Sequence, residues 1–254
     1  MSFPDVTTRR IGLAAATALL AIAVTGTAAA QSMVVRSTGP SASKYPTGTK
    51  LKSTDKLTLA SGDKVVLMQA GKTRTLSGPG TFGASGTIQA NQSMGATVTR
   101  MLSSGPTMRS RGGFSRGAEE AAPVDLRAPN LWLLDYREGG TFCVADPSRL
   151  TLWRPNMDSD QLLKIEQGDK VETVAIVAGA NFRKWPTEAL PVQYGVDYRL
   201  SGAGLATPVT IRFTQMDALP DSAESSVDVL MAKGCTPQLN RLVDAMSESE
   251  KAGG

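Results

Sequence analysis

Cys143 and Cys235 are the only two cysteines in a chain of 254 residues that contains no histidine. An even cysteine count without a C-x-x-C spacing suits one structural disulfide rather than a redox pair. Such a bond would close a loop of about 90 residues and contribute up to about 4.6 kcal/mol through chain entropy. The missing histidine removes Ser-His-Asp and Cys-His catalysis and His-ligated zinc, leaving carboxylate, Ser-Lys, tyrosine or metal-carboxylate chemistry. Asp146, Asp158 and Asp160 are the carboxylates open to that role. No two of them show a spacing that singles out an acid-base pair. Asp158 and Asp160 offer two oxygen ligands, but the third ligand position, the glycine and the distal glutamate of a calcium loop are missing, so they read as an exposed turn. Ser-x-x-Lys occurs three times, at Ser41/Lys44, Ser53/Lys56 and Ser61/Lys64, each in turn-rich sequence. A Ser-Lys nucleophile needs a helix start facing a cleft, so these read as solvated turns. The string from Gly78 to Gly83 matches a dinucleotide fingerprint in letters alone, because it closes a run of short strands instead of opening a helix. Gly71-Lys72-Thr73 is read as a hairpin turn. The sequence therefore assigns no catalytic residue, no metal and no cofactor.

Two groups remain as candidate binding residues. Trp153-Arg154-Pro155 and Trp185-Pro186 follow strand-like runs. Exposed, they would form a sugar- or partner-binding surface; buried, they are core. Arg109, Arg111 and Arg116 lie in a stretch rich in glycine and proline and suit contact with acidic envelope polymers or lipid headgroups. The overall charge of +4 is too even to indicate a nucleic-acid partner.

The elements that must position these residues fall into two composition zones. From Val34 to Phe82 short β runs, Lys56–Ala60 and Thr73–Leu76 alternating with Lys64–Gln69 between them, are punctuated by Gly turns, predicting a small meander or barrel. Met94, Val98, Met101 and Leu102 recur at helical spacing, with Asn91 available as a cap, and predict a short helix over 91–102. Residues 104–124 read as a Gly/Arg/Pro linker. After residue 124 come nine of the thirteen aromatic residues, which marks a second core. Leu131–Tyr136, Thr141–Val144, Leu150–Trp153, Lys170–Val177, Tyr198–Leu200 and Val209–Phe213 read as strands at sandwich-like spacing. Asp221 with Glu224 predicts one helix start, and Thr236-Pro237 another, with Leu239, Leu242, Val243 and Met246 forming an apolar stripe.

At the N-terminus, Arg9-Arg10, an apolar run from Ile11 to Val24 and the small residues before Gln31 form a signal peptide over 1–30, cleaved between Ala30 and Gln31. The apolar run is too short to span a bilayer, and the mature chain is expected to carry no transmembrane segment. Gly12 sits where a twin-arginine signal has a bulky apolar residue, so ordinary export is expected.

Lys56 to Phe82, with Ala60-Ser-Gly-Asp-Lys-Val65, Gly71 and Leu76-Ser-Gly-Pro-Gly80, resembles the β-repeat module of FecR-type periplasmic domains. That resemblance implies a small β module for envelope interactions. The second half, including Leu131-Trp132, Phe142-Cys143-Val144 and Lys233-Gly234-Cys235, resembles uncharacterised exported proteobacterial proteins. The expectation is a mainly β chain: a FecR-like module at 33–103, the linker, and a sandwich-like module at 125–248 ending in two short helices. Its expected role is that of a non-enzymatic periplasmic or secreted protein whose partner is another envelope protein or a cell-wall polymer. The alternatives are a carbohydrate- or peptidoglycan-binding module using exposed tryptophan and a carboxylate-dependent enzyme.

Overall fold

Turn chemistry and alternating apolar residues set the first module. The computed structural model describes residues 31–86, 92–103 and 127–251. The signal segment 1–30, Asn91 and the linker at 104–124, with Arg109, Arg111 and Arg116, lie outside the described residues. Six strands, β1 (Ser32–Thr38), β2 (Lys50–Leu51), β3 (Lys56–Leu59), β4 (Lys64–Gln69), β5 (Lys72–Ser77) and β6 (Gly80–Gly83), come first. They make a four-stranded sheet in the order β2-β1-β4-β5 and a β3-β6 pair. Ala70 and Gly71, both at positive φ, form the two-residue turn between β4 and β5, the backbone twist that tight hairpins favour. Gly39 has φ +101°, and a Cβ there would fall 2.7 Å from the Asp63 backbone. That close approach lets the buried Asp63 carboxylate accept from the amides of Ser41 and Ala60. These bonds, those to Ser41 first, hold the carboxyl below the usual aspartate range.

Both faces of β4 are buried. Val65 and Leu67 pack into a small core with Val34, Tyr45, Leu57 and Leu76, whereas Val66 and Met68 turn the other way. On that second face lie the helices α1 (Gln92–Leu102), α2 (Ala223–Ala232) and α3 (Thr236–Lys251). The C-terminal helices therefore pack on the sheet of the first module, and the division made along the chain is not a division in space. α3 also reaches β1 through Asp244, which pairs with Arg36 and with Arg127.

The second module is a sandwich. Its larger sheet has the order β11-β10-β13-β14-β8, formed by β8 (Gly140–Val144), β10 (Gln161–Gln167), β11 (Lys170–Ile176), β13 (Asp197–Gly202) and β14 (Val209–Gln215). The smaller has the order β12-β9-β7, from β7 (Leu133–Asp135), β9 (Thr151–Trp153) and β12 (Phe182–Lys184). Strict alternation puts Leu163 and Ile165, Tyr198 and Leu200, and Ile211 and Phe213 on the inner face, each almost fully buried. Among the described residues strand outweighs helix by 38% to 19%, so the fold is mainly β, with two helices at the C-terminus as expected.

Two local expectations shift. The N-cap of α2 is Ser222, not Asp221: its hydroxyl accepts from the Ser225 amide while the Ser225 hydroxyl accepts from the Ser222 amide. The reciprocal pair thus lies one residue beyond Asp221 and Glu224, with the same three-residue spacing. β10, Gln-Leu-Leu-Lys-Ile-Glu-Gln, escaped the sequence reading because its two adjacent leucines blur the alternation, yet it lies second in the larger sheet, beside β11. No helix among the described residues is long and apolar enough to cross a membrane.

Candidate functional site

Cys143 on β8 and Cys235 just before α3 are disulfide-bonded, with Cα atoms 5.7 Å apart. Both sulfurs lie in the cluster that joins β1 and β4 of the first module, all three helices and Leu131 of the second. The bond closes the place where the whole chain meets.

The exposed surface that the alternative reading needs is not there: Trp153, Arg154 and Trp185 are buried, as the core reading of these residues has it. Trp185 is 3% exposed, its ring held edge-on between Tyr198 and Phe213 and its indole N–H given to the Leu190 carbonyl. Trp153 is 4% exposed, packed with Ala128 and Leu133 beneath the Arg137 guanidinium. Arg154 is 1% exposed and spends its guanidinium on the carbonyls of Ser159, Val177 and Ala180. It is a staple that fixes the loops at one end of the sandwich. The physical reason is that β9 is buried on both faces, so Trp153 and Arg154 in succession meet packed neighbours, as does Trp185 after β12, and there their apolar surface is worth most.

The carboxylates are likewise structural. Asp146 accepts from the amide and hydroxyl of Ser148 and caps a short 3-10 turn, and those bonds hold its carboxyl below the usual range. Asp160 accepts from the Ala178 amide, and Asp158 lies in an exposed turn. Among the described residues no cluster of three or more metal-ligating side chains forms. Sequence reading missed Glu138, whose carboxyl is pushed up by burial and by the nearby Asp135. It lines a cleft of about 20 Å³, room for about one water. A neighbouring apolar cleft beside Cys143 and Trp132 measures about 70 Å³, far below the few hundred that a small-molecule site needs.

A concavity of about 690 Å³ is of another kind. It is a groove between the edge strand β11 and the edge strand β12, floored by Val174, Phe182 and Trp185 and lined by Arg183 and Lys184. Both cations are exposed. The outer face of β11 beside it presents Val171, Thr173 and Ala175, with Val177 beyond, all exposed and uncharged, and Leu162 on β10 next to Ala175.

Unpaired strand edges invite pairing with another chain, and proteins close them. Several of the other edges carry identifiable devices. Gln238 gives its amide to the carbonyls of Leu131 and Cys143 and accepts from the Cys143 amide, standing in for a strand beside β8. The Tyr45 hydroxyl does the same at Thr58 on β3. Arg74 on β5 bonds the Gly83 carbonyl of β6. β2 is two residues long, β7 is short and buried, and β12 is three residues with two cations. β11 differs. It pairs with β10 through seven consecutive residues without a bulge, and among the described residues no side chain caps its backbone.

Comparison with family models, with curated proteins and with solved structures finds no match. The site therefore rests on its own geometry.

Proposed function

We propose that this is an exported, non-enzymatic protein of the cell envelope that works by holding a partner along the β11–β12 face of its sandwich. The observation that carries the reading is the open edge of β11 above a groove of about 690 Å³. An edge and a groove together recognise an extended chain, main-chain bonds giving affinity and the groove giving choice of side chain. Export is supported by the disulfide between buried cysteines, which suits an oxidising compartment. The leader with cleavage between Ala30 and Gln31 adds to it. The likeness of Lys56–Phe82 to FecR-type modules agrees with a periplasmic or secreted location.

The test places a photo-crosslinking residue at Lys184, beside the groove, and at Arg212, exposed on β14 of the same module, in cells that export the protein. A product formed from Lys184 and not from Arg212 is expected. No product from Lys184, or equal products from both, would overturn the reading. Intact mass of the recovered protein, beginning at Gln31 and two hydrogens lighter than its reduced form, checks export and the bond together.

A further inference from the structure

Resting on that reading of the β11–β12 face, we infer that its occupant is a second copy of this chain, joined antiparallel along β11 about a two-fold axis through Thr173. The register follows from the strand itself. β11 runs Lys-Val-Glu-Thr-Val-Ala-Ile from Lys170 to Ile176, with Val171, Thr173 and Ala175 exposed on the outer face and Val174 and Ile176 buried on the inner one. Cross-strand partners must face the same side of a sheet, so a symmetric antiparallel pair centres on one residue paired with its own copy.

Centred on Thr173, all seven residues pair: Lys170 with Ile176, Val171 with Ala175, Glu172 with Val174 and Thr173 with itself. No like charges stand opposite one another, and the outer face joins Val, Thr and Ala of both copies. Centring on Glu172 sets two carboxylates face to face, which is destabilising. Centring on Val174 leaves Lys170 and Val171 pairing beyond the end of the strand.

Charge complementarity supports the same occupant. In the Thr173 register Glu172 of the second copy comes opposite Val174, on the groove side, where Arg183 and Lys184 stand. The arrangement is reciprocal, as an isologous interface requires. It turns two five-stranded sheets into one continuous sheet of twice that size and pairs the open edge of β11.

The experiment is sedimentation of the purified, disulfide-bonded protein over a concentration series through the micromolar range. The expected result is a reversible monomer–dimer equilibrium, weakened at least about tenfold by Thr173→Glu. That change sets two carboxylates opposite each other at the axis, while within one copy it stands opposite the exposed Lys164 of β10, a favourable neighbour. Val171→Lys, also exposed, is expected to act in the same direction, and Thr210→Lys, exposed on β14 of the same sheet, is expected to leave the equilibrium unchanged. A protein monomeric throughout the series, or a dimer indifferent to both β11 variants, would overturn the proposal. Monomers that still crosslink from Lys184 to a different envelope component would sink the second copy while sparing the broader reading. Absence of both would remove the two together.

Discussion

The two edges of the larger sheet make an instructive contrast. β8 and β11 end the same five strands, yet one is sealed and the other open. At β8 a buried glutamine amide takes the backbone bonds that a neighbouring strand would supply, and the disulfide ties the strand to α3. At β11 a longer and more regular strand has a groove on one side and uncharged side chains on the other. Edge protection in this protein is a local decision, made where the fold must be single and withheld where a surface is free to pair.

Breaking the sealed edge has the largest expected effect. Replacing Cys143 and Cys235 with alanine releases a loop spanning 92 residues and is expected to lower stability by about 4.6 kcal/mol in the chain-entropy view, read as a lower denaturant midpoint. Gln238→Leu keeps the side-chain volume but strands the Cys143 N–H and the carbonyls of Cys143 and Leu131. It should cost about 3 kcal/mol in urea unfolding, and a neutral result would refute the role given to Gln238.

Asp244→Ala removes both pairs, to Arg36 and to Arg127, by which α3 reaches beyond its own packing. These groups are about a third exposed, so a loss of only about 1 kcal/mol is expected. A double-mutant cycle with Arg36→Ala isolates that share. The smallest change belongs to the open edge. Thr173→Glu should leave the unfolding midpoint of the monomer within about 0.5 kcal/mol of the parent, since the side chain is exposed and its cross-strand neighbour within one copy is the exposed Lys164. A large loss there would mean that β11 is structural rather than interactive, and would erase the contrast.

Much of the architecture was legible beforehand. β3, β4, β5, β8, β9, β11, β13 and β14 were readable because they are short runs rich in apolar and β-branched residues, alternating in β3, β13 and β14, set between turns that carry Gly, Pro or Asn. The apolar stripe Leu239, Leu242, Val243 and Met246 is buried as its spacing predicted. β10 was not legible, because Leu162 and Leu163 are equally apolar in sequence while the fold leaves one 63% exposed and the other buried. The candidate site was the least legible part. Trp153, Arg154 and Trp185 attracted attention by type, but type alone does not say whether an aromatic or a guanidinium meets water or a packed neighbour. Gln238 and the edge of β11 carried no signal at all, since a glutamine in an amphipathic helix and a Val-rich strand look ordinary until their neighbours are known.

Composition and local pattern by themselves determined the mainly β class, the pairing of two lone cysteines, the helical tail and the exclusion of histidine chemistry. These depend on residue type and on periodicities of two or 3.6 residues, which act over a few positions of the chain. Tertiary structure alone decided that the C-terminal helices pack on the sheet of the first module, that Trp185 spends its ring on Tyr198 and Phe213, and that of the two edges of the larger sheet β8 is sealed and β11 open. Each of those outcomes is set by contacts between residues tens to hundreds of positions apart. No local sequence pattern encodes which distant groups compete for the same surface and the same hydrogen bonds.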